Sequence, residues 1–135
     1  MNIQKTKYIL ASQSPRRSKL LTQIGINFET LPSNFIEDLS INLPPSNLSM
    51  NFAKNKAKAV AKKYKSRWVI GADTIVTLRG RIFGKPNSFD EGNEMLRALS
   101  GKTHDVFTGV SIQNIEKKIN LTFNERTKVT LKRLT

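Results

Sequence analysis

The sequence predicts an α/β protein built on a mixed, twisted sheet flanked by helices. Three observations predict it. Strand and helix patterns alternate through the first half of the chain, strands dominate the end, and Trp68 to Ala72 is a nearly continuous apolar run of the kind a buried strand carries. At 135 residues, with no internal repeat and no low-complexity linker, the chain is expected to form one domain, 1–135.

Each element has a local cause. Tyr8 to Ala11 is a short apolar strand feeding a hydroxyl-rich turn, Ser12-Gln13-Ser14. Ser14 suits the N-cap of a helix and Pro15 its first position, where a missing N–H costs nothing. Leu20, Leu21 and Ile24 follow at helical spacing, and Gly25 ends the helix as a left-handed cap. Ile26 to Thr30 reads as a strand. Leu31 to Asn47, punctuated by Pro32, Pro44 and Pro45, reads as a loop long enough to suggest function. A helix is expected from about Leu48 to Lys65, with Ala53, Ala57, Val60 and Tyr64 on its apolar stripe. The strand opened by Trp68 continues through Asp73 and Thr74 to Leu78. Arg79-Gly80 then turns it into a short partner, Arg81 to Phe83. Ser88 and Glu91 form a capping-box pattern for a third helix, which ends near Ser100-Gly101. Two more strands are expected, about Asp105 to Gln113 and Lys118 to Leu131.

Composition narrows the chemistry. The chain has no cysteine and one histidine, His104, which excludes a disulfide framework, argues against a Cys/His zinc site and suits a reducing cytoplasm. No apolar run approaches a membrane span, and Met1 to Lys7 lacks the apolar stretch of a signal peptide. The formal net charge of +13 invites a nucleic-acid reading. Yet seven basic residues and no acidic one lie between Lys54 and Arg67, which supplies over half of that excess. With no recognisable nucleic-acid module, this run reads as a solvated lysine face, with salt-sensitive polyanion binding as a side effect.

Several residues carry chemistry. A helix start presenting free N–H groups beside Arg16 and Arg17 suits phosphate oxygens, with Ser12 and Ser14 as phosphate contacts or caps. Asp73 lies in Val69-Ile70-Gly71-Ala72-Asp73-Thr74-Ile75-Val76, where a carboxylate must be paired or bind a cation to offset desolvation. Lys56 lies about 60° from the apolar stripe of its helix, close enough to reach into a cleft, and Lys63 lies at a similar angle. His104 and Asp105 are adjacent in a strand and therefore face opposite ways, so they make no dyad.

The run Leu10-Ala11-Ser12-Gln13-Ser14-Pro15-Arg16-Arg17 resembles the signature of the Maf family of nucleotide pyrophosphatases. Further matches follow in the family's order: Lys56-Ala57, Ile70 to Val76, Gly84-Lys85-Pro86, Met95-Leu96, Leu99 to His104, and Thr108-Gly109-Val110. The resemblance implies a Maf/ITPase-like fold with a nucleotide-binding cleft. It also implies metal-assisted hydrolysis of a nucleoside triphosphate between its α- and β-phosphates. On it, Asp73 is the general base, Thr74 a substrate contact, and Arg16, Arg17, Lys56 and Lys85 the phosphate-binding cations. Glu37 or Asp38 would join Asp73 in holding Mg²⁺ or Mn²⁺; the resemblance does not choose between them. Pro15-Arg16-Arg17 and Asp73-Thr74 are similar to the subgroup acting on dTTP and UTP, whereas a 7-methyl-GTP subgroup matches less well at Arg16 and Thr74. The family pattern continues past Thr135, through a Glu-Pro-x-Asp-Lys-Ala-Gly segment. The chain is therefore expected to be C-terminally short, with an exposed sheet edge that favours a homodimer. The alternative expectation is a weakly active or inactive nucleotide- or polyanion-binding relative. No membrane partner and no sequence-specific nucleic acid are expected.

Overall fold

The computed structural model describes residues 7–12, 15–84 and 88–133, with the side chains of Pro15 and Arg16 outside the description. In chain order the elements are β1 (Tyr8–Leu10), α1 (Pro15–Gln23), β2 (Phe28–Thr30), α2 (Pro45–Ala61), β3 (Val69–Leu78), β4 (Arg81–Phe83), α3 (Phe89–Leu99), β5 (Thr103–Asn114) and β6 (Ile119–Thr130). The sheet runs β2-β1-β3-β5-β6, and β4 pairs with β3. It is mixed, as expected: β1 lies parallel to β2 and β3, while β3–β4, β3–β5 and β5–β6 are antiparallel. Among the described residues no helix is long and apolar enough to cross a membrane.

Helix α2 lies on one face of β3 and β5, and two glycines let it approach. A Cβ on Gly71 would stand 2.3 Å from the Ala53 carbonyl oxygen, and one on Gly109 would stand 2.3 Å from that of Ser49. Any side chain at either position would push the helix off the sheet. Two apolar clusters complete the contact. Ile9, Ala11, Ala57, Val60, Ala61 and Val69 pack at one end, and Leu48, Phe52 and Ile75 at the other. Phe35 and Leu43, from the loop between β2 and α2, pack on the second cluster, with the Phe35 and Phe52 rings 5.8 Å apart. Apolar contact, rather than regular backbone, therefore ties this long loop down.

The opposite face of the sheet is barely covered. Cross-strand rows such as Ile70–Ile112–Leu121 and Ala72–Val110–Phe123 lie on it, and Leu121 and Phe123 remain 56% and 45% exposed.

Several boundaries differ from the sequence reading. Helix α2 begins at Pro45 rather than near Leu48, because proline fits the first helical position. It ends at Ala61 rather than Lys65, so Tyr64 leaves the apolar stripe and is exposed. Strand β2 is shorter than Ile26 to Thr30, since Asn27 serves the sheet only through its carbonyl, which accepts from Tyr8 N–H. The apolar spacing of α1 does not produce a core, for Leu20 and Ile24 are exposed. The turns follow their local chemistry as expected. Gly25 has φ of 78°, Arg79 and Gly80 both adopt the left-handed conformation of a tight hairpin turn, and Ser88 Oγ accepts the Glu91 N–H.

Candidate active site

The site forms where β3 loses a neighbour. On one side β3 pairs with β1 only as far as Ile70, whose carbonyl accepts the Ala11 N–H, and β4 begins to pair at Val76. Between them, the β3 edge around Asp73 has no strand partner among the described residues. The gap opens at the carboxyl end of β1, where the chain enters α1, a position at which α/β sheets commonly bind ligands.

Asp73 points from β3 toward α2 and is 4% exposed. The close approach permitted by Gly71 and Gly109 brings Lys56 of α2 onto it: Lys56 Nζ donates to Asp73 Oδ1 at 2.9 Å and approaches the Ala72 carbonyl oxygen at 3.5 Å. The same ammonium is ion-paired with Glu37, which the loop anchored by Phe35 carries over the gap. Asp73 Oδ2 is buried without a hydrogen-bond partner among the described residues. Burial is the main influence on Asp73 and raises its pKa to about 6; Lys56 opposes that rise and the Glu37 carboxylate adds to it. Burial also works against ionising Glu37, but the hydrogen bond from Lys56 and the charges of Lys56 and Arg17 outweigh it and hold the pKa low.

Thr74 points to the other face of β3, where Arg17 Nη2 donates to its hydroxyl at 3.1 Å. Thr108, directly across on β5, places its hydroxyl 3.4 Å from that of Thr74. The strand gap thus has a carboxylate–ammonium–carboxylate array on one side and a guanidinium–hydroxyl pair on the other. Arg17 is close enough to act electrostatically on Glu37, which links the two halves.

The structure brings together Asp73, Lys56, Glu37, Arg17 and Thr74. Ser12 is buried at the end of β1, beside the gap. Asp38 does not join them: it is exposed, and its Oδ1 accepts from the Ser40 N–H and hydroxyl. Of the two adjacent carboxylates, Glu37 faces the site. Ser14, Lys85 and the Arg16 side chain lie outside the described residues. Lys63, equal to Lys56 on a helical wheel, falls beyond the end of α2. Thr108 had no assigned role in the sequence reading; its signal is cross-strand register, which no local pattern carries. His104 is buried with Nδ1 unpartnered among the described residues, while Asp105 faces away and takes both Arg126 Nε and Nη2 at 3.1 Å. They form no dyad, as strand alternation requires.

Two carboxylates are the donor set available for a metal, since among the described residues no three His, Cys, Asp or Glu side chains converge. Such a set fits Mg²⁺ or Mn²⁺, which take few carboxylates and complete their shell with water and substrate phosphates. The orphaned Asp73 Oδ2 is the oxygen left to serve it.

Comparison with known proteins agrees with this fold. In fold, the chain is similar to a HAM1 protein from Coxiella burnetii, with a TM-score of 0.61 at 16% identity over 91% of this chain and 71% of that one. The Ham1 protein of Staphylococcus aureus gives 0.59 at 15% identity, over 91% and 70%. In sequence, it is 50% identical over 129 residues to proteins named dTTP/UTP pyrophosphatase from Bacillus cereus (strain G9842) and Bacillus mycoides (strain KBAB4). These alignments cover 96% of this chain and 66% of each relative, so the chain spans just under two thirds of their length. The sequence pattern described as "Maf-like protein" matches residues 7–135, and the chain belongs to that family.

Proposed function

We propose that the chain carries a nucleoside triphosphate pyrophosphatase site that hydrolyses dTTP and UTP to the monophosphate and pyrophosphate. The observation that carries this reading is the Asp73–Lys56–Glu37 array in the strand gap, built on the buried Asp73, with Arg17 and Thr74 beside it. The relatives' name, dTTP/UTP pyrophosphatase, supports the substrate class.

Asp73, with a pKa near 6, is mostly ionised at neutral pH yet basic enough to take a proton from water. Water oxygen attacks the α-phosphorus, the bond from α-phosphorus to the bridging oxygen breaks, and pyrophosphate leaves. Lys56 and Arg17 neutralise the triphosphate, and Thr74, held by Arg17, offers it a hydroxyl. Ser12, Ser14, Arg16 and Lys85 complete the phosphate contacts. Asp73 and Glu37 would hold Mg²⁺ or Mn²⁺, which supplies charge neutralisation and polarisation of the phosphate oxygens when bound. The absence of cysteine suits action in the cytoplasm.

The test is product analysis with dTTP, UTP and 7-methyl-GTP in Mg²⁺ or Mn²⁺. Equimolar monophosphate and pyrophosphate from dTTP and UTP is the expected result. Release of single phosphates, or preference for 7-methyl-GTP, would overturn the assignment.

A further inference from the structure

The basic run between Lys54 and Arg67 is not one solvated helix face. Helix α2 stops at Ala61, and the chain then turns tightly, with Lys63 N–H bonded to Val60 O and Tyr64 N–H to Ala61 O. The segment from Lys62 to Arg67 closes onto the tip of the β5–β6 hairpin, where Glu116 N–H donates to Lys65 O at 2.9 Å. Between the two lies an open cleft of about 590 Å³, lined by Lys62, Lys63, Tyr64, Lys65 and Arg67 with Ile115 and Glu116 opposite. Lys117 and Lys118 lie exposed in the same hairpin turn, and Lys7, also exposed, accepts a bond from Arg67 through its backbone carbonyl. The Glu29 carboxylate is ion-paired to Arg67.

We propose that this cleft is a second binding surface, for single-stranded nucleic acid without sequence preference. A flexible polyphosphate chain matches cations supplied by two separate segments. Tyr64, 41% exposed and flanked by lysines, offers a ring for base stacking that an acidic protein segment would not need. The surface lies beyond the start of β3, about 13 Å or more from Asp73 by strand rise, and shares no residue with the phosphate site. It is independent of the proposed catalysis.

The experiment is fluorescence anisotropy with a fluorescein-labelled 16-nucleotide single strand, as DNA and as RNA, from 50 to 200 mM KCl. With about four phosphates neutralised, the log–log salt slope should be near −3, and affinity should fall about 60-fold over that range. The double variant Lys63→Gln/Lys65→Gln should flatten the slope by about 1.4. Tyr64→Ala should weaken binding about tenfold with the slope unchanged. Both should leave pyrophosphate release intact, and Lys56→Gln should leave oligonucleotide binding intact. The proposal is overturned by absence of binding at 50 mM KCl. It is overturned equally by binding that survives the double variant or is lost in Lys56→Gln. Indifference to Tyr64→Ala together with equal affinity for polyglutamate would also overturn it, leaving only a general polyanion patch.

Discussion

Asp73→Asn should make the protein more stable at neutral pH, although it removes a buried ion pair. Two effects compete. Lys56 attracts the carboxylate across 2.9 Å, while burial at 4% exposure penalises its charge. The pKa of about 6, above the usual 3.8, means that burial wins. A carboxyl whose folded pKa is raised favours folding while protonated, and loses that advantage as pH climbs from 3.8 to about 6. Above that window the ionised native state carries a cost of about 3 kcal/mol, from about 1.36 kcal/mol per tenfold change. Asparagine fills the same space without charge, and Lys56 keeps Glu37 as partner. The gain should therefore approach about 3 kcal/mol as an upper bound at pH 7.5 and vanish near pH 3.5. Urea unfolding of both proteins in EDTA, at several pH values between these limits, measures it. A variant less stable than wild type at pH 7.5, or a pH-independent difference, would refute the claim that burial outweighs Lys56.

With Asp73 as the proposed base, kcat/KM should fall on the acid side with an apparent pKa near 6, and a profile flat down to pH 5 would remove Asp73 as base. Gly109→Ala should cost on the order of 3 kcal/mol and, by lifting α2, reduce turnover as well; a harmless substitution would contradict the close approach to Ser49 O. The two adjacent carboxylates should separate cleanly. Glu37→Gln should raise the Mg²⁺ concentration for half-maximal activity roughly tenfold, on the order expected for losing one ligand, whereas Asp38→Asn, which loses only its bonds to Ser40, should leave it unchanged. Equal effects from both would show that the loop does not hold the conformation described.

What was legible in the sequence was local chemistry. Gly25, the Arg79-Gly80 turn and the Ser88 cap depend on single residues and their immediate neighbours, so they could be read directly. Asp73 announced itself because a carboxylate inside an apolar strand has few inexpensive explanations. The end of α2 was hidden, since Lys, Ala and Tyr continue a helix without penalty. The chain leaves it at Ala61 and is met at Lys65 by a hairpin distant in sequence. That same boundary settles the choice between Lys56 and Lys63, which a helical wheel left open. Glu37 and Asp38 could not be told apart because one step along an irregular loop has no periodicity. Phe35 packing on Phe52 decides which of them turns inward. The apolar spacing of α1 shows the converse limit, for periodicity gave the helix but said nothing of a partner to bury Leu20 and Ile24.

The central claim is that Asp73 takes the proton from the attacking water. Its most direct test is pyrophosphate release from dTTP by wild type and Asp73→Asn, with Mg²⁺ at pH 7.5, once urea unfolding shows both to be folded. The account predicts a loss of at least about a hundredfold in kcat for the more stable variant. Turnover within about tenfold of wild type would contradict it and place the base elsewhere.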